Sequence, residues 1–117
     1  MRNFKDYEIW HLSMDIVVEV YKLTQSLPDQ EKYGLQSQMR RCAVSVPSNI
    51  AEGCSRRSDK AFARFLEIAI GSAFELQTQL LVANKIGYFA EEELTALLEK
   101  LDKCQRKINS LLGKMAR

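Results

Sequence analysis

Phe62-Ala-Arg-Phe-Leu-Glu-Ile-Ala-Ile-Gly-Ser-Ala-Phe-Glu-Leu-Gln-Thr-Gln-Leu-Leu-Val-Ala83 carries the most regular pattern in the chain. Phe62, Leu66, Ala69, Ala73, Leu76, Leu80 and Ala83 alternate steps of four and three over three heptads, the spacing that holds one stripe of a helix against a bundle core. Phe65, Ile68, Ile70, Phe74, Leu81 and Val82 fall off that stripe. This helix is therefore apolar around more of its circumference than one seam uses, and it is expected at the centre or at an interface. Ala69, Gly71, Ser72 and Ala73 are small enough to admit a neighbouring helix, and Gly71 lacks the glycine pattern of a phosphate loop. Ser58 reads as the N-cap, Asp59 suits the positive first turn, and Gly87 supplies a stop, which bounds the helix at 59–86.

Upstream lies Gln38-Met-Arg-Arg-Cys-Ala-Val-Ser-Val-Pro-Ser-Asn-Ile-Ala-Glu-Gly53. Met39, Ala43, Val46 and Ile50 repeat on one helical face, and Arg41, Ser45, Ser48 and Glu52 on the opposite one. Pro47 interrupts this helix, removing the amide that would bond the Ala43 carbonyl at a cost of ~3 kcal/mol in an ordinary helix. Ser45, Ser48 and Asn49 are short polar side chains able to satisfy freed carbonyls, and Glu52 could bond backbone freed there. The expectation is one helix over 35–55, kinked at Pro47, with Gly53 near its end available for a left-handed stop.

Two further helices follow the same logic. Asp6 reads as the N-cap of a helix over 7–27, with Ile9, Leu12, Ile16, Val20, Leu23 and Leu27 in one apolar row and Trp10, Met14, Val17, Tyr21 and Thr24 in its neighbour. Pro28 stops it, and Pro28 to Gly34 is a connector with room for a helical turn. Glu91, Glu92 and Glu93 open a last helix over 90–114 with the row Leu94, Leu97, Leu101, Cys104, Ile108, Leu111 and Met115. Lys100, Lys103, Arg106, Lys107 and Lys114 are left to solvent and to the negative end of that helix. With no strand pattern, the expected fold is an all-α, antiparallel up-down-up-down four-helix bundle in one domain, 1–117.

The composition agrees: 117 residues, 46% hydrophobic, 27% charged and only two prolines are those of an ordinary helical domain. The apolar runs fall short of the ~20 residues that span a bilayer, and the start lacks a secretory apolar segment, so a cytoplasmic protein without a membrane partner is expected. Cys42, Cys54 and Cys104 are odd in number and without a Cys-x-x-Cys pair, which points to buried reduced thiols and to no metal. His11 and Asp15 read as a surface pair. No Cys-His or Ser-His spacing, helical Glu-x-x-His pair or phosphate loop is present, so no cofactor and no enzymatic activity are expected.

The wording of 38–53, together with Leu27-Pro28, Glu31, Tyr33-Gly34-Leu35, Phe62 to Ser72, Glu75-Leu76 and Gly87-Tyr88, resembles the four-helix bundle proteins first noticed in intervening sequences of 23S ribosomal RNA genes. The resemblance implies a left-handed bundle assembling into a homopentamer with a central channel, without catalysis. A related branch, the accessory variability proteins of diversity-generating retroelements, forms basic pentamers that engage nucleic acid and a reverse transcriptase. Ser45, Pro47, Ser48, Asn49, Glu52 and Gly53 are the structural motif of that resemblance in this chain.

Charge placement supplies the candidate site. The net charge is only +2, but Arg40 to Arg64 hold six bases (Arg40, Arg41, Arg56, Arg57, Lys60, Arg64) against Glu52 and Asp59. Phe65 to Glu93 hold five acids and one base. Those six bases are the candidate contacts to the phosphates of RNA or DNA, multiplied around a homo-oligomer, with no aromatic stacking motif and hence no base readout. The alternatives are a solvated face paired to Glu52, Asp59 and Glu67, in which Arg41 suits an inter-subunit ion pair, and a protein-interaction scaffold that binds no nucleic acid.

Overall fold

A computed structural model describes residues 1–115. Four helices account for the architecture: α1 (Glu8–Thr24), α2 (Leu35–Cys54), α3 (Asp59–Ile86) and α4 (Glu91–Met115), with no strand among the described residues. The molecule measures 44 × 23 × 19 Å. Its long axis matches α3, whose 28 residues rise about 42 Å at 1.5 Å each.

Cross-helix contacts pair in opposite order along neighbouring helices. Between α2 and α3, Gly53 meets Phe62 and Phe65, Ser45 meets Ser72, and Cys42 meets Gln79. Between α1 and α4, Lys107 pairs with Glu8 and Lys100 with Glu19. The core draws on most of the expected rows, though Leu111 and Met115 at the end of the α4 row are only half-buried. Met39, Ala43, Val46 and Ile50 of α2, all seven stripe residues of α3, and Leu94, Leu97, Leu101, Cys104 and Ile108 of α4 are buried.

The first helix departs most from expectation. It starts at Glu8, where Tyr7 stands at the cap position without a side-chain bond, after a 3-10 turn over Phe4–Asp6 that Asn3 caps by accepting from the Lys5 amide. Asp6 caps nothing, because it lies inside that turn. The buried row is Ile9, Ser13, Ile16, Val20 and Thr24, with Leu12 and Leu23 only half-buried. Two hydroxyls reach the core because each bonds its own helix: Ser13 Oγ donates to the Trp10 carbonyl (2.8 Å) and Thr24 Oγ1 to that of Val20 (2.7 Å). The helix ends at Thr24 rather than Leu27, where α2 takes over its last carbonyls. Gln36 Nε2 donates to the Thr24 carbonyl (2.9 Å) and Arg40 to that of Tyr21 (3.2 Å).

Helix α2 runs unbroken through Pro47, whose ring is buried. Gly53 is helical and not left-handed; the left-handed stop belongs to Gly87 alone among the described residues (φ 98°). Gly53 serves close approach instead, since a Cβ there would lie 2.8 Å from Phe65 Cβ. Gly71 is the reverse case: it faces outward with nothing within 4 Å of a Cβ, while Ala69, Ser72 and Ala73 face the bundle. By length and composition α3 could cross a bilayer, with a mean hydropathy of 1.2 over eighteen residues. Its stripe is nevertheless consumed by the bundle core.

Candidate nucleic-acid interface

The turn from α2 into α3 gathers four of the six candidate bases at one end of the bundle. Ser58 caps α3 by accepting from the Ala61 amide (3.1 Å), which fixes the direction in which Lys60 and Arg64 leave the helix. Arg56 lies over the Phe65 ring, 4.9 Å from its centroid, and approaches Glu52 at 3.9 Å. Arg2 arrives at the same end, a residue that the charge pattern along the chain did not single out. Its amide donates to the Cys54 carbonyl (2.9 Å), its guanidinium covers the Phe62 ring at 4.4 Å, and its side chain pairs with Asp59. Both acids of the segment are thus engaged by Arg2 and Arg56. Arg57, Lys60 and Arg64 are exposed and make no ion pair among the described residues.

Arg40 and Arg41 do not join that group. Arg40 stands fourteen positions before Cys54 in α2, about 21 Å along the helix. Arg40 lies on the Tyr21 ring, 4.5 Å from its centroid, and its Nε donates to Thr24 Oγ1 (2.9 Å). It thereby places a cation at the negative end of α1. Arg41 is exposed. Around these two, Tyr21, Lys32, Tyr33 and Ser37 complete an open cleft of about 450 Å³. The sequence showed no stacking motif because Tyr21 and Tyr33 sit on different segments and line one cleft only when α1 packs on α2.

Four of the five basic residues of α4 are spent elsewhere. Lys103 and Lys107 reach Glu8 (3.7 and 3.0 Å), Lys100 reaches Glu19 (3.0 Å), and Arg106 pairs with Asp102 (2.9 Å). The hydrogen bond from Lys107 holds the Glu8 carboxyl below its ordinary value.

Set beside known proteins, residues 5–110 match the family model described as 23S rRNA-intervening sequence protein. The chain belongs to that family. Among solved structures it is similar to a protein of unknown function of the S23 ribosomal protein family from Bacteroides thetaiotaomicron. The TM-score is 0.80 at 20% identity, over 89% of this chain and 97% of the other, a likeness of fold. No curated protein matches the chain.

In this member of the 23S rRNA-intervening sequence protein family, the motif residues of α2 divide by task. Ser45 Oγ bonds Ser72 Oγ (2.8 Å), and Asn49 Nδ2 donates to the Ser45 carbonyl (2.8 Å) and hydroxyl (2.9 Å). These bonds tie the proline-bearing turn to α3. Ser48 is exposed on a groove shared with Trp10, Met14 and Pro47. Glu52 turns outward to Arg56 rather than to backbone freed by Pro47, because the group a helix proline frees is a carbonyl, and a carboxylate, itself only an acceptor, cannot bond it.

The remaining reactive residue types are held quietly. All three cysteines are buried, and burial pushes each thiol up, Cys104 to about 11. His11 Nε2 donates to the Lys5 carbonyl (2.7 Å) and meets Trp10 edge-on, a bond that replaces the pair expected with Asp15. No group of His, Cys, Asp and Glu suited to a metal occurs among the described residues.

Proposed function

We propose that this protein is a non-enzymatic, oligomeric bundle that associates with RNA or DNA through its α2–α3 end. One observation carries the reading: Arg57, Lys60 and Arg64 stand exposed and unpaired while Arg2 and Arg56 engage the neighbouring acids Asp59 and Glu52. Three bases on one copy are a weak electrostatic site, and repetition around an assembly would multiply it. The family's name, which refers to intervening sequences of 23S rRNA, supports RNA as the first ligand to test.

Self-association is supported by two unlike apolar faces on each copy, which head-to-tail contacts require. Ile68, Phe74, Leu81, Val82 and Ile86 of α3 are each at least 42% exposed. On the other side, Phe4, Trp10, Met14, Val17 and Val44 line a groove over Pro47 of about 340 Å³. A homopentamer is the form that the resemblance implies. We place the protein in the cytoplasm and assign it no membrane role, since the stripe of α3 is buried and its exposed apolar face is the one assigned here to self-association.

Binding of labelled RNA and DNA across a salt series tests the nucleic-acid reading. The logarithm of affinity should fall steeply with the logarithm of salt, and neutralising Arg57, Lys60 and Arg64 together should flatten that slope by about one unit per lost phosphate contact. Absence of binding at low salt, or binding indifferent to those substitutions, leaves the protein-interaction scaffold, for which the same exposed apolar face of α3 would be the docking surface.

A further inference from the structure

We propose that the cleft between the end of α1 and the start of α2 is a second contact for single-stranded RNA, in which a base stacks on Tyr33 and its phosphates meet Lys32 and Arg41. This rests on the nucleic-acid reading above and adds to it a site for the base.

The cleft combines features that have no common structural purpose. Tyr33 is 88% exposed, so its ring contributes almost nothing to the core. Lys32 Nζ stands 5.7 Å from the centre of that ring, and neither Lys32 nor Arg41 makes an ion pair among the described residues. Its lining holds three cations and no carboxylate. The groove along α4 differs, with Glu91, Glu99 and Asp102 beside its two cations. Glu31, the acid next to Lys32 in the chain, is committed elsewhere. It accepts from the Leu35 amide (3.2 Å) and from the Tyr88 hydroxyl (2.8 Å). A cleft with this excess of positive charge attracts an anion, and an aromatic face at its mouth suits an anion that carries an unstacked ring.

Two parts of the wall are held in place. Arg40 is pinned flat on Tyr21 by its bonds to Thr24 Oγ1 and the Tyr21 carbonyl. The connector carrying Lys32 and Tyr33 is fastened through Glu31 to both α2 and Tyr88. Duplex RNA buries its bases in the stack and cannot use Tyr33, so the cleft selects single strands. It lies toward the opposite end of α2 from Arg57, Lys60 and Arg64, and one strand crossing the bundle face could touch both.

The test is fluorescence anisotropy with a labelled single-stranded RNA of about ten nucleotides and a duplex of the same sequence, at low salt, using the full chain. Tyr33→Ala should weaken single-strand binding about 5- to 150-fold, Tyr33→Phe should bind within about twofold of the parent, and duplex binding should be unchanged by either. Because Tyr33 is so exposed, both variants keep the helical circular dichroism of the parent. If Tyr33→Ala binds like the parent while the combined Arg57→Gln, Lys60→Gln, Arg64→Gln variant does not bind, the basic end stands and the cleft is overturned. If the parent binds no RNA, both readings fall. If Tyr33→Ala changes the mass by light scattering, the ring belongs to a contact between copies and the proposal is overturned.

Discussion

Gly53 of α2 sits so close to Phe65 of α3 that a methyl group on its Cα would lie 2.8 Å from the Phe65 Cβ and 3.0 Å from Phe62 Cδ1. This contact sets how tightly the two helices converge as the chain turns between them, and therefore where Arg56 lies on the Phe65 ring. Gly53→Ala forces the pair apart. It should destabilise the protein by about 1–3 kcal/mol, as overpacking in a tight core does, measured by urea unfolding. An unchanged midpoint would show that the helix end relaxes freely.

Gly71→Ala should act in the opposite direction. A methyl group there meets nothing within 4 Å, and alanine favours the helix interior by about 0.5–1 kcal/mol. The melting temperature should rise. A fall, or a loss of mass by light scattering, would mean that another copy packs against Gly71, the close approach that the small residues of α3 suggest.

Acid should loosen the tie between α1 and α4. Glu8 has its folded-state pKa lowered by the hydrogen bond from Lys107, so its contribution is present above the ordinary carboxylate value and disappears as pH falls through the lowered one. Thermal unfolding of the parent and of Glu8→Gln should therefore differ at neutral pH and converge below the ordinary 4.5. The carboxylate is exposed, which keeps the effect small. A difference that persists in strong acid would assign it to packing.

Pro47→Ala tests the kink expected in α2. Restoring the amide toward the Ala43 carbonyl favours the helix, and losing a buried ring beside Trp10 and Met14 opposes it. The two effects oppose each other in stability, so the informative measurement is the assembly: if Pro47 bends α2 and the protein self-associates as proposed, the substitution should reshape the groove over Pro47 and lower the mass in solution. Unchanged mass and melting temperature would make the proline incidental.

The sequence by itself determined the helices and most of the core. Steps of three and four place a residue on one helical face whatever the partner, and Met39 to Ile50, Phe62 to Ala83 and Leu94 to Ile108 are buried accordingly. Gly87 was legible for the same local reason, as a glycine just past a helix. Local pattern misplaced Asp6, Gly53 and Gly71, since a cap, a stop and a close contact differ only in what lies across from them.

The candidate site was half legible. Its four bases around the α2–α3 turn are neighbours in sequence and remain neighbours in space. Arg40 was read as a phosphate contact, yet its guanidinium is largely spent on Tyr21 and Thr24. Only the tertiary structure brought Arg2 to Asp59, sent Lys100, Lys103 and Lys107 of α4 to the acids of α1, and set Tyr33 in one cleft with Arg41. Which charges are cancelled depends on pairs separated by tens of residues. Helical periodicity fixes the face a side chain occupies, and packing alone fixes the charge it meets there.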